Sequence, residues 1–557
     1  MGTHRTPGSA GLGTLLAAPG GGDGVFAVIA VIALWVCVAV LLVVGWRRFA
    51  DHRGWRVAVL FGALLVATVH QLAYGTVPDE AHIGFRYARN IADGYGAVFN
   101  PGEYVEGYTD FAWIVLLALV RAITGADVET VAVVVGVAGV LASVLVVYAL
   151  TGRILDRSNP SFAVAAAVVT AGVGSLAAYG PSGLSTSLFV LLILALAYAL
   201  VSGHIVLAGV VAALAVMTRL DGLLVALVAG GWLVVVAIGR RAPASAPAVY
   251  LLGAAVPLVP WFAWRMTYYG ELVPAAVVAS AVRGSDSVAG RLEAGWTYFV
   301  DFALTYQAFL LVAAVTIGVL SYRRGPGARH VWLLLALAIA EVAYVVAIGG
   351  GILPAWGQLA PVPVLLTVAS ASGFALAAAG VTRTGTSAAG RGVALVAVAL
   401  SGLSLALSIT RMLPGMHELR TVNSELTDIG QWLGARLPAG TAVSALPAGA
   451  LADAAGSGLY IVDPSGTTDE HLARHPGDHA YVVGTRMPSV VVDAAGGYLP
   501  ERTCRIRSEY AGPYEVVPFR RAGDGPPRWV ELYLHRPQAA QLTDTLAADP
   551  RFVAEPC

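Results

Sequence analysis

Two adjacent acids, Asp79 and Glu80, are followed closely by His82, Arg86 and Arg89. Pro78 before the run and Gly94 after it frame a helix from Glu80 to about Ala92. On such a helix, offsets of four and seven put His82, Arg86 and Arg89 on one face, with Ile83 and Tyr87 on a more apolar one. A carboxylate beside a cationic face has the makings of a general base next to an anion site. The plainer reading is that Asp79 is only a helix cap, a role worth about 1 kcal/mol.

Downstream, Gly94 to Asp110 reads as an ordered loop, with Asn100-Pro101-Gly102 as its turn. Glu106, Tyr108 and Asp110 supply the hydroxyl-binding and stacking groups that sugar sites use, although an interfacial aromatic belt would also account for Tyr108 and Trp113. Further on, Thr218-Arg219-Leu220-Asp221-Gly222 breaks two short apolar helices. An Arg and an Asp so near apolar depth are costly unless paired or functional. They can form a self-contained ion pair, or Arg219 can offer its planar fork to a phosphate, with Asp221 beside it. Tyr268 and Tyr269 open another polar segment, where interfacial anchoring and lipid-phosphate contact are the two readings.

The background that must position these groups is a membrane one. The 557-residue chain is 57% hydrophobic, 12% charged and has a mean hydropathy of +0.74. Soluble domains carry about 25% charged residues. A polytopic α-helical membrane protein is expected, in roughly 12 spans of about 18–25 apolar residues over residues 25–410. Basic clusters at Arg47-Arg48, Arg153, Arg240-Arg241, Arg323-Arg324 and Arg383 all fall on one side, which the positive-inside rule makes cytoplasmic. The loop 76–127, the Arg219 turn, the Tyr268 segment and Gly349–Gln358 then face outward. A zero net charge with no basic tract gives no support for nucleic acid as a partner.

Residues 1–24 are Gly-rich and read as a flexible N-terminus without a cleavable leader. Residues 411–557 turn polar and Pro/Gly-rich, and are expected to form an extracytoplasmic α+β domain. Strands are expected near Tyr460–Val462, Ala480–Val483, Ser489–Val492 and Trp529–Leu534, and a helix over Leu426–Leu437. Cys504 and Cys557 can pair in an oxidising compartment, two free thiols being the ordinary alternative.

The run from Asp79 to Asp110 resembles the first outer loop of the actinobacterial membrane arabinofuranosyltransferases of the terminal β-1,2 type. Phe85-Arg86-Tyr87-Ala88-Arg89-Asn90, Gly94-Tyr95-Gly96, Phe99-Asn100-Pro101-Gly102 and Glu106-Gly107-Tyr108-Thr109 carry the likeness. Weaker echoes follow in order at Gly183–Thr186, Thr218–Gly222, Tyr268-Tyr269-Gly270 and the triple-glycine loop with Pro354. The resemblance implies a GT-C fold in a bacterial cytoplasmic membrane, and an inverting enzyme that takes a pentose from a polyprenyl-phosphate donor to a cell-envelope glycan at the outer face. It implies Asp79 as base with Glu80 beside it. Donor contacts would fall to His82, Arg86, Arg219, Asp221, Tyr268 and Tyr269, and acceptor contacts to Glu106, Tyr108 and Asp110.

The chain departs from that pattern at five positions. Glu80 stands for a second Asp, Leu220 for a Pro, Ala275 for an Asn, and Gly351 and Gln358 for an Asp and an Arg. No cofactor is required by a single displacement from a monophosphate, a divalent cation is compatible with it, and no metal-ligand cluster appears. A mannose-type transferase, a lipid-linked-sugar transporter and a non-catalytic envelope-binding relative stand as alternatives.

Overall fold

The computed structural model describes residues 21–283, 287–306, 327–381, 388–492, 497–523 and 525–557. The span expected over 302–321 lies largely outside them, as do Arg323, Arg324, Arg383 and most of 1–24. Two compact units emerge: one of 77–132, 261–285 and 418–557, the other of the remaining segments through His417.

The second of these is helical. Among the described residues, six helices of the whole chain are long and apolar enough to cross a membrane: Val28–Gly45, Arg53–Leu72, Val128–Ile154, Ala246–Tyr269, Ala328–Ile348 and Leu395–Arg436. Pro361–Val381 is apolar and 21 residues long, and five further apolar helices have only 10–17 residues. At 1.5 Å per residue, the longest of the five reaches about 26 Å, short of a hydrocarbon core of about 30 Å. The roughly twelve spans expected from the sequence are therefore not matched one for one. Phe111–Thr124, expected as part of an outer loop, is one of the short apolar helices. The helical core is built on small residues: a Cβ on Gly209 would lie 2.2 Å from the Tyr250 carbonyl oxygen. Close backbone approach of this kind packs helices where the surroundings give no hydrophobic drive.

The other unit carries a six-stranded mixed sheet: β1 Ala442–Ala445, β2 Tyr460–Val462, β3 Val490–Val492, β4 Tyr514–Arg521, β5 Arg528–His535 and β6 Phe552–Ala554. Its order is β2-β1-β3-β5-β4-β6, with β1 parallel to β2 and β3, and the remaining pairs antiparallel. Ala480–Val483, expected as a strand, is helical, because Asp478 caps the turn by accepting the Tyr481 N–H at 3.0 Å. The helix expected over Leu426–Leu437 is the end of a 49-residue helix, Ala388–Arg436, that runs through the domain boundary drawn at 410. Trp432 stacks on Phe552 at 3.9 Å and donates to the Leu546 carbonyl, seating that helix on the sheet. Cys504 and Cys557 are disulfide-bonded, their Cα atoms 5.8 Å apart.

Candidate active site

The Asp79 helix spans Asp79–Ala92, with Pro78 rather than Asp79 in the cap position. Asp79 does cap a helix, but a different one. Its two carboxylate oxygens accept the N–H groups of Gly449 (3.0 Å) and Ala450 (2.7 Å), at the start of the helix Gly449–Ala455. Such an end leaves its first N–H groups unsatisfied, and a carboxylate is well suited to them. Gly449 is required here, because a Cβ would lie 2.0 Å from the Asp79 carbonyl oxygen and 2.8 Å from its carboxylate.

Arg86 takes the other end of the same short helix. Its guanidinium donates to the carbonyls of Ala452, Gly456 (2.9 Å), Leu459 (2.9 Å) and Phe99 (2.8 Å), and to Asn100 Oδ1 (3.4 Å). Only 1% of Arg86 is exposed. All five of its N–H donors are spoken for. The donor-phosphate role expected for it gives way to a structural one.

Between the two, His82 Nδ1 lies 3.2 Å from Asp453 Oδ2, and Arg89 lies 2.6 Å from Asp453 Oδ1. The helical face read from the sequence is real, and what it faces is protein. Asn100 extends the grip by pairing with both the N–H (3.0 Å) and the C=O (2.9 Å) of Ile461 on β2.

Glu80 differs from its neighbours: it is exposed and, among the described residues, takes no hydrogen bond or ion pair from another residue. Desolvation pushes both acids above their ordinary pKa. For Asp79 the N–H groups of Ala450 and Gly449 and the charge of His82 oppose the rise, and Asp463 adds to it. For Glu80 its own N–H opposes and the Asp79 charge adds. Two neighbouring carboxyls titrating above the usual range are better proton acceptors than ordinary ones. His82 is also raised: burial opposes its charge, but Asp453, Glu129 and Asp79 outweigh the loss.

The expected acceptor residues are placed differently. Glu106 is buried in an ion pair with Arg265, its oxygens 2.9 and 2.7 Å from Nε and one 2.6 Å from Nη2. Arg265 also donates to the Leu272 carbonyl. Tyr108 is buried, with its hydroxyl 2.9 Å from that of Tyr269. Tyr269 donates to the Ala97 carbonyl and Tyr268 accepts the Ala97 N–H, so both tyrosines pin the loop. Asp110 stands at the head of the helix Phe111–Thr124. Glu106 and Tyr108 therefore order the loop. No group of three or more His, Cys, Asp or Glu suited to a metal forms among the described residues.

In the helical unit, Arg219 and Asp221 form the ion pair that the sequence allowed, with Nη2 2.6 Å from Oδ2 and Nε 3.0 Å from Oδ1. The guanidinium lies 4.9 Å from the centre of the Phe189 ring. Glu341, which sequence reading passed over, has electrostatic reach to both Arg219 and Asp221. It is fully buried and, among the described residues, neither carboxyl oxygen has a hydrogen-bond partner. A single acid in an apolar run, Ala340-Glu341-Val342, was the signal available.

Comparison with known proteins adds three findings. A family model described only as a domain of unknown function (DUF8728) matches residues 416–533. The terminal β-(1→2)-arabinofuranosyltransferase of Corynebacterium glutamicum is 28% identical over 345 residues, 52% of this chain and 48% of that protein. The enzyme of the same name from Mycobacterium tuberculosis is 27% identical over 316 residues, 53% and 45% of the two chains. This chain thus spans about half the length of the curated relatives it matches.

Among solved structures, ArnT from Cupriavidus metallidurans bound to undecaprenyl phosphate superposes with a TM-score of 0.54 at 16% identity, over 86% of this chain and 98% of that one. The Archaeoglobus fulgidus oligosaccharyltransferase gives 0.52 at 14% identity, over 81% and 70%. The fold is therefore the GT-C fold of these membrane proteins.

Proposed function

We propose that this protein is a membrane glycosyltransferase that moves a pentose, arabinofuranose, from a polyprenyl-phosphate donor to a cell-envelope polysaccharide on the outer face of the membrane. The observation that carries the reading is the likeness to two terminal arabinofuranosyltransferases, on a chain whose fold is that of a protein solved with undecaprenyl phosphate.

In this reading the transfer is one inverting displacement. A carboxylate takes the proton of an acceptor hydroxyl as its oxygen bonds to the anomeric carbon. The bond from that carbon to the phosphate oxygen breaks, and its electron pair leaves with polyprenyl phosphate. Asp79 is the base and Glu80 its partner. The N–H groups of Gly449 and Ala450 fix the Asp79 carboxylate while leaving each oxygen a further lone pair. In the helical unit, Asp221 holds the Arg219 fork in one orientation, a group of the kind that suits phosphate oxygens. A positioned base contributes on the order of 10²–10⁴ in rate.

The test is transfer from lipid-linked arabinofuranose to a short oligosaccharide by the purified protein. Asp79→Asn should lose at least a hundredfold in kcat, and the exposed Glu80→Gln should lose activity without any change in melting temperature. Because both carboxyls are raised, kcat/KM should climb with pH through a limb above the ordinary carboxylate range of about 4. Full activity in a folded Asp79→Asn variant removes Asp79 as the base. Wild-type protein inert toward this donor and active with lipid-linked mannose would move the substrate assignment.

A further inference from the structure

Away from Asp79, the sheet-bearing unit holds an open cleft of about 520 Å³ between the turn at Gly102–Val105 and the segment Glu470–Arg486. One wall is a stack of rings: His471 lies on Tyr481 with centroids 4.0 Å apart and 23° between planes, and on His475 at 4.7 Å and 27°. Opposite, Tyr104 is 56% exposed and fixed edge-on to Tyr268 at 5.0 Å. Between them the cleft is lined with held ion pairs. Arg486 bonds to Glu103 (2.6 Å), Asp469 (2.5 Å) and the Tyr460 hydroxyl, while its Nε is buried without a partner. Arg474 pairs with Glu470 (2.5 Å) and Glu271 (3.0 Å), and His471 with Asp478 (2.9 Å).

The charge count selects among ligand classes. Among the side chains that line the cleft, Glu103 and Glu470 balance the guanidiniums of Arg474 and Arg486, with Asp469, Glu271 and Asp478 as further ion-pair partners outside the lining. An anion entering this cleft meets balanced charge and guanidiniums already held by carboxylates. A neutral polyol meets fixed donors and acceptors for its hydroxyls, and ring faces for its C–H surface. We propose that this cleft is a binding site for a neutral glycan, holding sugar residues on side chains separate from Asp79 and Glu80. A volume of about 520 Å³ falls within the range of sites that take a ligand of two or three sugar rings.

The inference rests on the proposed function only for the choice of probe, since binding here needs no transfer. The experiment titrates the full-length detergent-solubilised protein with a neutral arabinofuranosyl hexasaccharide, with maltohexaose in parallel, and reads saturation-transfer NMR and calorimetry. Wild type should bind a hexasaccharide, and inorganic phosphate should not compete. Tyr104→Ala with His475→Ala, both exposed, should weaken binding at least tenfold with an unchanged melting temperature, and Tyr481→Ala should weaken it further. Binding unaltered in both variants, competition by phosphate, or no binding of either sugar by folded wild type overturns the site. Retained binding with no transfer by wild type leaves the site standing and removes the arabinosyltransferase reading instead.

Discussion

Two ionic clusters of this molecule are built on opposite terms. Around the helix Gly449–Ala455, each buried charge has a partner: Asp79 on two N–H groups, Arg86 on four carbonyls and an amide oxygen, His82 and Arg89 on Asp453. In the helical unit Arg219 and Asp221 satisfy one another, while Glu341 is fully buried with both oxygens unpartnered among the described residues. Satisfied networks rigidify, and an unpaired intramembrane acid is a burden that a fold carries for function. The comparison separates residues that hold a site in place from residues that act in one.

The largest effect should come from breaking the satisfied cluster at its tightest point. In Gly449→Ala the new Cβ meets backbone at 2.0 Å, with no flexible side chain to yield. The Asp79 carboxylate must leave its two N–H donors, and we expect about 4 kcal/mol of destabilisation of this unit together with loss of transfer. Chemical denaturation followed by circular dichroism, alongside the activity assay, reads both. Arg86→Ala comes next at about 3 kcal/mol, since it strands buried carbonyls. Arg86→Lys should recover little, because an ammonium cannot reach five fixed acceptors.

The unpaired cluster should respond in the reverse manner. Glu341→Gln removes an acid that contributes no hydrogen bond among the described residues, so the melting temperature should hold or rise. If Glu341 tunes Arg219 for a phosphate, transfer should fall at least tenfold, about 1.4 kcal/mol in the barrier. An unaltered rate would make Glu341 an inert occupant of the core and dissolve the contrast drawn between the two clusters.

Much of this was legible in the sequence, and the part that was not has a physical explanation. Spacing alone placed His82, Arg86 and Arg89 on one face, and the break expected over Thr218–Gly222 falls between the short helices Ile205–Thr218 and Gly222–Ile238. What the face would meet lay some 370 residues away, in Gly449–Leu459, and no local pattern reports a partner at that separation. Glu106 was read as a sugar contact because Arg265, its partner, stands 159 residues on within an apolar helix. Strand β4 was missed because Tyr514–Arg521 mixes charges and a proline into a run whose burial comes from β5 and β6 on its two sides. The exposed Glu80 needed no distant partner, and its placement at the helix start was readable directly.

The smallest effect tests the satisfied cluster from within. His82 is 5% exposed and faces Asp453, Asp79 and Glu129, with Arg89 on the far side of Asp453. Its pKa is raised in the folded protein, so the ion pair stabilises fully below the unfolded value of about 6.5 and fades as pH rises through the folded one. Wild type should therefore lose stability on going upward from pH 6.5, by about 1 kcal/mol or ~2–4 °C in a unit of this size. Asp79 and Glu80, also raised, push the same way but begin near pH 4, where their unfolded forms titrate. The difference between wild type and His82→Gln across pH 6–8.5 isolates the histidine: the variant's melting temperature should be lower at pH 6 and converge on wild type at high pH. A constant offset at all pH values would mean that His82 holds Asp453 as a neutral ring, and that the clamp is hydrogen-bonded rather than ionic at that point.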